Sequence, residues 1–273
     1  MPINKAKRVG VVAITLVIVI YLGIVLLLAL AQRRILYPVA NRGAPPLMIA
    51  PPGYMLTNVR TSDGLSIKCL YRPASTGMPT LLIFHGNGDT VMGSAVIAAP
   101  LIELGYGAML AEFRGYGGNP GSPDEAGLYR DGDAARRFLD DQGIVANKIV
   151  VVGYSLGSGI ASEIASQAPV GALVLISPFT SVPDAAGQHF PWLPTRLLMR
   201  DRFATIERLG SIHAPLLLIH GEADQIVYPS NSRILAKSRP DATLRIVPGF
   251  GHEIAFRPQA AKIISDWLRT ERL

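Results

Sequence analysis

Apolar positions along the chain follow three patterns. From Val9 to Ala31 stand 23 residues without a formal charge, enough to cross a hydrocarbon core of about 30 Å as one helix. From Leu65 to Tyr71 the apolar positions alternate through Ile67 and Cys69, the period of a strand with one buried face. Ile149 to Gly153 is a short β-branched run without alternation, the signature of a parallel strand covered on both sides. The first pattern predicts a membrane segment, the second a hairpin and the third a central strand.

The hairpin pairs Tyr54–Thr61 with Leu65–Arg72 across the turn Ser62-Asp63-Gly64. Beyond it strands and helices alternate: strand Thr80–Phe84, helix about Met92–Leu104, strand Ala108–Glu112, helix about Asp124–Asp141, the strand from Ile149, a helix about Ser155–Gln167 and strand Ala172–Ile176. After an interruption come strand Leu216–Ile219, helix about Ser230–Ser238, strand Thr243–Val247 and a last helix about Glu253–Leu268. That order predicts an α/β domain with a mostly parallel sheet and helices on both faces. The interruption, Phe179–His213, is rich in apolar residues such as Phe190, Trp192, Leu197 and Met199. It reads either as a lid over an acyl chain or as a helix pair covering the sheet edge.

The organisation expected is a tail at 1–8, a transmembrane anchor at 9–31, a connector at 32–52 and a globular domain at 53–273 with the lid at 179–213. Pro38, Pro45, Pro46, Pro51 and Pro52 restrict the backbone and make the connector a stiff piece. Ala29-Leu30-Ala31 has the small-x-small form of a signal-peptidase site, but the apolar run exceeds the usual signal-sequence core, which favours an uncleaved anchor. Lys5, Lys7 and Arg8 precede the span and Arg33 and Arg34 follow it. The balance leans to an N-terminus inside and a domain outside the cytoplasm.

The chain has 273 residues, 49% hydrophobic and 17% charged, with a net charge of +6. This suits one sizeable folded domain and excludes a disordered chain. Its Lys and Arg residues are scattered, with no basic run interleaved with aromatics, so no nucleic-acid partner is expected. The single Cys69 rules out an intrachain disulfide and lies on the buried face of its strand. No histidine–carboxylate spacing of a metal site is present, and no metal or cofactor is expected.

The central strand runs into Gly153-Tyr154-Ser155-Leu156-Gly157 and then a helix. Gly-x-Ser-x-Gly at a strand-to-helix turn is a nucleophile elbow, which lifts a serine hydroxyl off the sheet. Such a serine needs a base, and the base needs an orienting acid, each past the end of a later strand. Asp224 follows strand Leu216–Ile219, and His252 follows strand Thr243–Val247. Glu222 and Asp184 are the rival acids. The other histidines, His85, His189, His213 and His220, fall in loops or in the lid. A dinucleotide loop at Gly153-x-x-x-Gly157-x-Gly159 is disfavoured, because the next strand ends at Ile176-Ser177-Pro178 without an acid for a ribose.

From Gln32 onwards the chain resembles membrane-anchored serine hydrolases of the abhydrolase or serine-aminopeptidase-like group, which have the α/β-hydrolase fold. The matching stretches are Gln32-Arg33-Arg34-Ile35-Leu36-Tyr37-Pro38, His85-Gly86-Asn87-Gly88, Phe113-Arg114-Gly115-Tyr116-Gly117, the elbow, Ser177-Pro178-Phe179-Thr180, Arg200-Asp201-Arg202-Phe203, the Asp224 loop and Gly251-His252. Glu112 departs from the aspartate usual there. An oxyanion hole is expected from the Leu156 amide and, by the resemblance, the Asn87 amide, with Gly88 second. The expected activity is acyl-enzyme hydrolysis of carboxylic esters or thioesters of acyl or lipid-like substrates near the membrane. The alternatives are a peptidase or amidase of the same fold, or a silent tethered binding module.

Overall fold

A computed structural model describes residues 5–41 and 46–273, without the side chains of residues 5–7 and 41. Pro45 and the first four residues of the expected tail lie outside the described residues. Helix α1 spans Lys5–Leu36 and the short α2 Pro38–Asn41. Then follow β1 Met55–Arg60, β2 Ser66–Arg72, β3 Thr80–Phe84, α3 Val91–Ile102, β4 Gly107–Ala111, α4 Glu125–Asp141, β5 Ile149–Tyr154, α5 Leu156–Gln167 and β6 Ala172–Ile176. The C-terminal part holds α6 Val182–His189, α7 Thr195–Leu198, α8 Thr205–Arg208, β7 Leu216–Gly221, α9 Ser230–Ser238, β8 Thr243–Val247 and α10 Pro258–Thr270.

Eight strands form one sheet in the order β1-β2-β4-β3-β5-β6-β7-β8. Strands β3 to β8 are parallel, while β1 pairs with β2, and β2 with β4, antiparallel. Alternation along each central strand divides the core. Leu82, Phe84, Met109, Val151, Leu173 and Leu218 face α4 and α5. Leu81, Ile83, Leu110, Val150, Val174 and Ile219 face α3 and α10. Each such buried aliphatic side chain contributes about 1.5–3 kcal/mol relative to exposure, so the register is strongly specified. The order reverses at β3, with β4 on one side and β5 on the other. In open parallel sheets that switch point opens a crevice beyond the carboxyl ends of the strands. The loop after β3 and the turn after β5 both reach it.

Two expectations need correction. The stiff connector expected at 32–52 begins as helix, so the anchor helix does not end at Ala31. The helix continues five residues past Ala31, Tyr37 is buried, and the Leu47 amide donates to the Gly117 carbonyl at 2.8 Å. No proline stands between Lys5 and Tyr37, so nothing stops α1 earlier, and Pro38 sits at a first helical position that tolerates it. The last helix starts at Pro258, not near Glu253, and His252–Phe256 is a separate 3-10 turn. Arg257 precedes that proline and is held extended at φ −101°, ψ 144°.

Arg8–Leu36 is long and apolar enough to cross a membrane. Its outward face bears exposed Val12, Leu16, Val19, Leu26 and Leu30.

Candidate active site

The turn between β5 and α5 is a tight one. Ser155 has φ 51° and ψ −117°, a region that L-residues rarely adopt. The positions two residues before and two residues after it must be glycine for lack of space. A Cβ on Gly157 would stand 2.0 Å from the Phe84 carbonyl oxygen, and one on Gly153 would stand 2.4 Å from the Gly157 carbonyl oxygen. The strain is held by the Ser155 amide donating to Ile176 at 3.0 Å, and by the Ser158 hydroxyl and amide donating to the Ser155 carbonyl. Strained backbone of this kind persists only where the surroundings determine it.

Ser155, His252 and Asp224 come together from three strand ends. His252 Nε2 lies 3.0 Å from Ser155 Oγ, and His252 Nδ1 lies 2.7 Å from Asp224 Oδ2. With Nδ1–H donated to the carboxylate, Nε2 is free to accept the serine proton. Asp224 is buried and its Oδ1 accepts the amides of Ile226 at 2.8 Å and Val227 at 2.9 Å. Burial alone would raise its carboxyl. Hydrogen bonds from His220 and His252, with the Val227 amide, outweigh burial and hold it well below the usual carboxylate range. Of the rival acids, Glu222 is exposed, and Asp184 is engaged by Arg196, Thr180 and Ser181.

The loop after β3 is braced from three directions. His85 is fully buried, with Nδ1 donating to the Gly86 carbonyl at 2.8 Å and Nε2 2.6 Å from Glu112 Oε1. Both ring nitrogens face acceptors, the arrangement of an imidazolium. Burial opposes that charge, but the Glu112 carboxylate prevails and the imidazole pKa is raised. The Tyr116 hydroxyl donates to the Asn87 carbonyl at 3.0 Å, and Asn87 Nδ2 donates to the Leu36 carbonyl at 2.9 Å. Asn87 is thus clamped between the Arg-Gly-Tyr loop and the end of α1. Leu156, the first residue of α5, has an amide without an intrahelical acceptor.

Ser155, Leu156 and Asn87 line a cavity of about 610 Å³ whose other walls are almost wholly apolar. The segment 179–213 roofs it through Phe179, Val182, Ala186, Phe190 and Leu193. His189 also faces the cavity, with Nε2 2.9 Å from the Ile226 carbonyl. His213 lies away from it, between α8 and β7. Among the described residues no group of histidine, cysteine and acidic side chains is placed to hold a metal.

Two further residues adjoin the trio. His220 was expected only to shape a loop, yet its Nε2 sits 3.2 Å from Asp224 Oδ2 and 2.7 Å from the Val227 carbonyl. Its position on β7, four residues before Asp224, was the available signal. Tyr154 donates its hydroxyl to the His252 carbonyl at 3.2 Å and packs its ring 5.2 Å from the imidazole. Nothing in the sequence marked that contact.

Similarity to known proteins follows the same segments. Residues 79–200 match a family model described as alpha/beta hydrolase fold, and residues 199–259 match one described as serine aminopeptidase, S33. An uncharacterized Mycobacterium tuberculosis protein is 38% identical over 92% of this chain and 90% of its own length. Lysophosphatidylserine lipase ABHD12 of Danio rerio is 29% identical over 70% of this chain and 58% of its own length. Among solved structures, an alpha-beta hydrolase from Vibrio vulnificus superposes with a TM-score of 0.73 at 20% identity, over 88% of this chain and 92% of that one.

Proposed function

The chain belongs to the α/β-hydrolase family, and on that premise we propose that it is a membrane-tethered serine hydrolase of acyl or lipid-like esters. Ser155 is the nucleophile, His252 the general base and then acid, and Asp224 the group that fixes the imidazole tautomer. The observation that carries the reading is the hydrogen-bonded chain from Ser155 through His252 to Asp224, at 3.0 and 2.7 Å, opening into an apolar cavity of about 610 Å³.

His252 Nε2 takes the Ser155 proton as Oγ attacks the ester carbonyl. Charge developing on the carbonyl oxygen is met by the amides of Leu156 and Asn87, and losing one such donor costs about 3 kcal/mol. The imidazolium then protonates the leaving alcohol, and water hydrolyses the acyl-enzyme by the same steps in reverse. A volume of this size suits an acyl chain far better than a peptide, whose backbone would need polar partners on the walls. The apolar helix and the lipase activity named for ABHD12 support a lipid-like substrate.

A series of p-nitrophenyl esters of rising chain length, given to the full chain in detergent micelles, tests this. The wild type is expected to hydrolyse them with a preference for longer acyl groups, and Ser155→Ala to be inactive. Equal hydrolysis by both proteins would overturn the assignment.

A further inference from the structure

The segment expected to be a tether takes part in the cavity. Along α1, Val25, Leu28, Ala29, Gln32 and Leu36 are partly shielded, whereas Leu26, Leu27 and Leu30 are 60%, 65% and 70% exposed. Steps of three and four residues put the shielded set on one helix face. Leu28, Ala29, Gln32 and Leu36 from that face line the same cavity as Ser155.

Polar contacts hold this face against the lid. Gln32 Nε2 donates to the Leu198 carbonyl at 3.1 Å, and its Oε1 accepts the Arg200 amide at 2.7 Å. Arg33 forks onto Asp201 at 2.9 and 3.0 Å, and the Tyr37 hydroxyl donates to the same carboxylate at 3.0 Å. Asp201 is buried, so its cation and one of its donors come from the α1 end of the chain. A buried carboxylate deprived of its cation is strongly destabilising, which marks the contact as part of the fold. Farther up the helix, the Tyr21 hydroxyl donates to the Trp192 carbonyl at 3.0 Å. Tyr21 and Arg33 are roughly 18 Å apart along the axis, so α1 is pinned at both ends of the roof.

Resting on the serine-hydrolase reading, we propose that the last third of α1 is a wall of the acyl-binding site and that Leu28 and Ala29 limit the acyl length it accepts. Leu36 touches the Asn87 loop beside Ser155, and Ala29 lies two turns up the same face, on the order of 10 Å away. An acyl chain bound to Ser155 and running along α1 passes Gln32 and then meets Ala29. Alanine is the smallest side chain of the lining face, and a larger one there fills the far end of the cavity. The helix that holds the enzyme in the lipid also measures the lipid it takes.

The test compares the labelling rates of Ser155 by butyl and hexadecyl fluorophosphonates in the full-length protein. Ala29→Phe is expected to slow the hexadecyl probe at least about tenfold relative to the butyl probe, in line with what a few misfitted methylenes cost a pocket. Leu30→Phe adds the same ring to the outward face and should leave the ratio unchanged. If Ala29→Phe takes neither probe, Ala29→Leu reads the same ratio with a smaller change in volume. A wild-type ratio in both Ala29 variants, with both probes reacting, overturns the wall alone. Failure of the wild type to react with either probe overturns the serine-hydrolase reading and this inference with it.

Discussion

Asp224→Asn separates a positioning carboxylate from a merely structural one. The carboxylate is pinned on both oxygens, Oδ1 by the amides of Ile226 and Val227 and Oδ2 by His252 and His220. An asparagine must choose an orientation. Turning its NH2 toward the two backbone amides loses two hydrogen bonds and leaves buried donors unpaired, at about 1–3 kcal/mol each. The oxygen therefore stays on the amides and the NH2 faces the imidazoles. His220 keeps an acceptor for its Nε2–H in the Val227 carbonyl. His252 has no such alternative in its hydrogen bonds with Asp224 and Ser155, so its Nδ1 becomes the acceptor and its proton moves to Nε2. In that tautomer it cannot take the Ser155 proton. The expected loss is about 10⁴-fold in kcat, near 5 kcal/mol at 1.36 kcal/mol per decade. Steady-state ester hydrolysis reads it, with circular dichroism to confirm folding. Glu222→Gln and Asp184→Asn should turn over at the wild-type rate. A folded Asp224→Asn protein within tenfold of wild type would show that Asp224 does not fix the His252 tautomer.

Three further outcomes follow from other parts of the molecule. Gly157→Ala forces a Cβ to within 2.0 Å of the Phe84 carbonyl, so stability should fall by about 1–3 kcal/mol and Ser155 labelling should collapse; a variant that melts and labels like the wild type would contradict the packing described. The His85 imidazole, its pKa raised by Glu112, contributes stability that is complete below its unfolded pKa of about 6.5 and fades as pH climbs through the folded value. Melting temperature against pH should therefore decline more steeply on the alkaline side in wild type than in His85→Gln, and parallel curves would count against a charged His85. Trp192 is 51% exposed and touches Tyr21, which stands about 15 Å along the helix before Ala31, so brominated lipids should quench its fluorescence in vesicles; quenching unchanged in Trp192→Phe would contradict that depth.

The sheet and the trio were legible because each depends on local signals: a short β-branched run, a glycine-boxed serine, an acid and a histidine just past strand ends. Parallel topology then brings strand ends together without further information. What stayed hidden depends on contacts between distant residues. Gln32-Arg33-Arg34-Ile35-Leu36-Tyr37-Pro38 and Arg200-Asp201-Arg202-Phe203 were both recognisable as stretches, but nothing in either shows that Arg33 and Tyr37 share the Asp201 carboxylate. Helical continuity across Ala31 was masked by the prolines from Pro38 onwards, which set the start of the stiff connector a few residues too early. The lid and edge-helix readings of 179–213 could not be told apart by composition. Phe190 and Leu193 line the cavity that holds Ser155, a contact that composition does not show. Glu112, a departure from the usual aspartate, proved to be the partner of buried His85.

The proposed chemistry requires Ser155 to be the acylated nucleophile of a hydrolase. Incubating the full-length protein with a fluorophosphonate and mapping the adduct by peptide mass spectrometry tests it most directly. A single adduct is expected on the peptide carrying Ser155, absent in Ser155→Ala and greatly slowed in Asp224→Asn. An adduct on another residue, or equal labelling of Ser155→Ala, would contradict it.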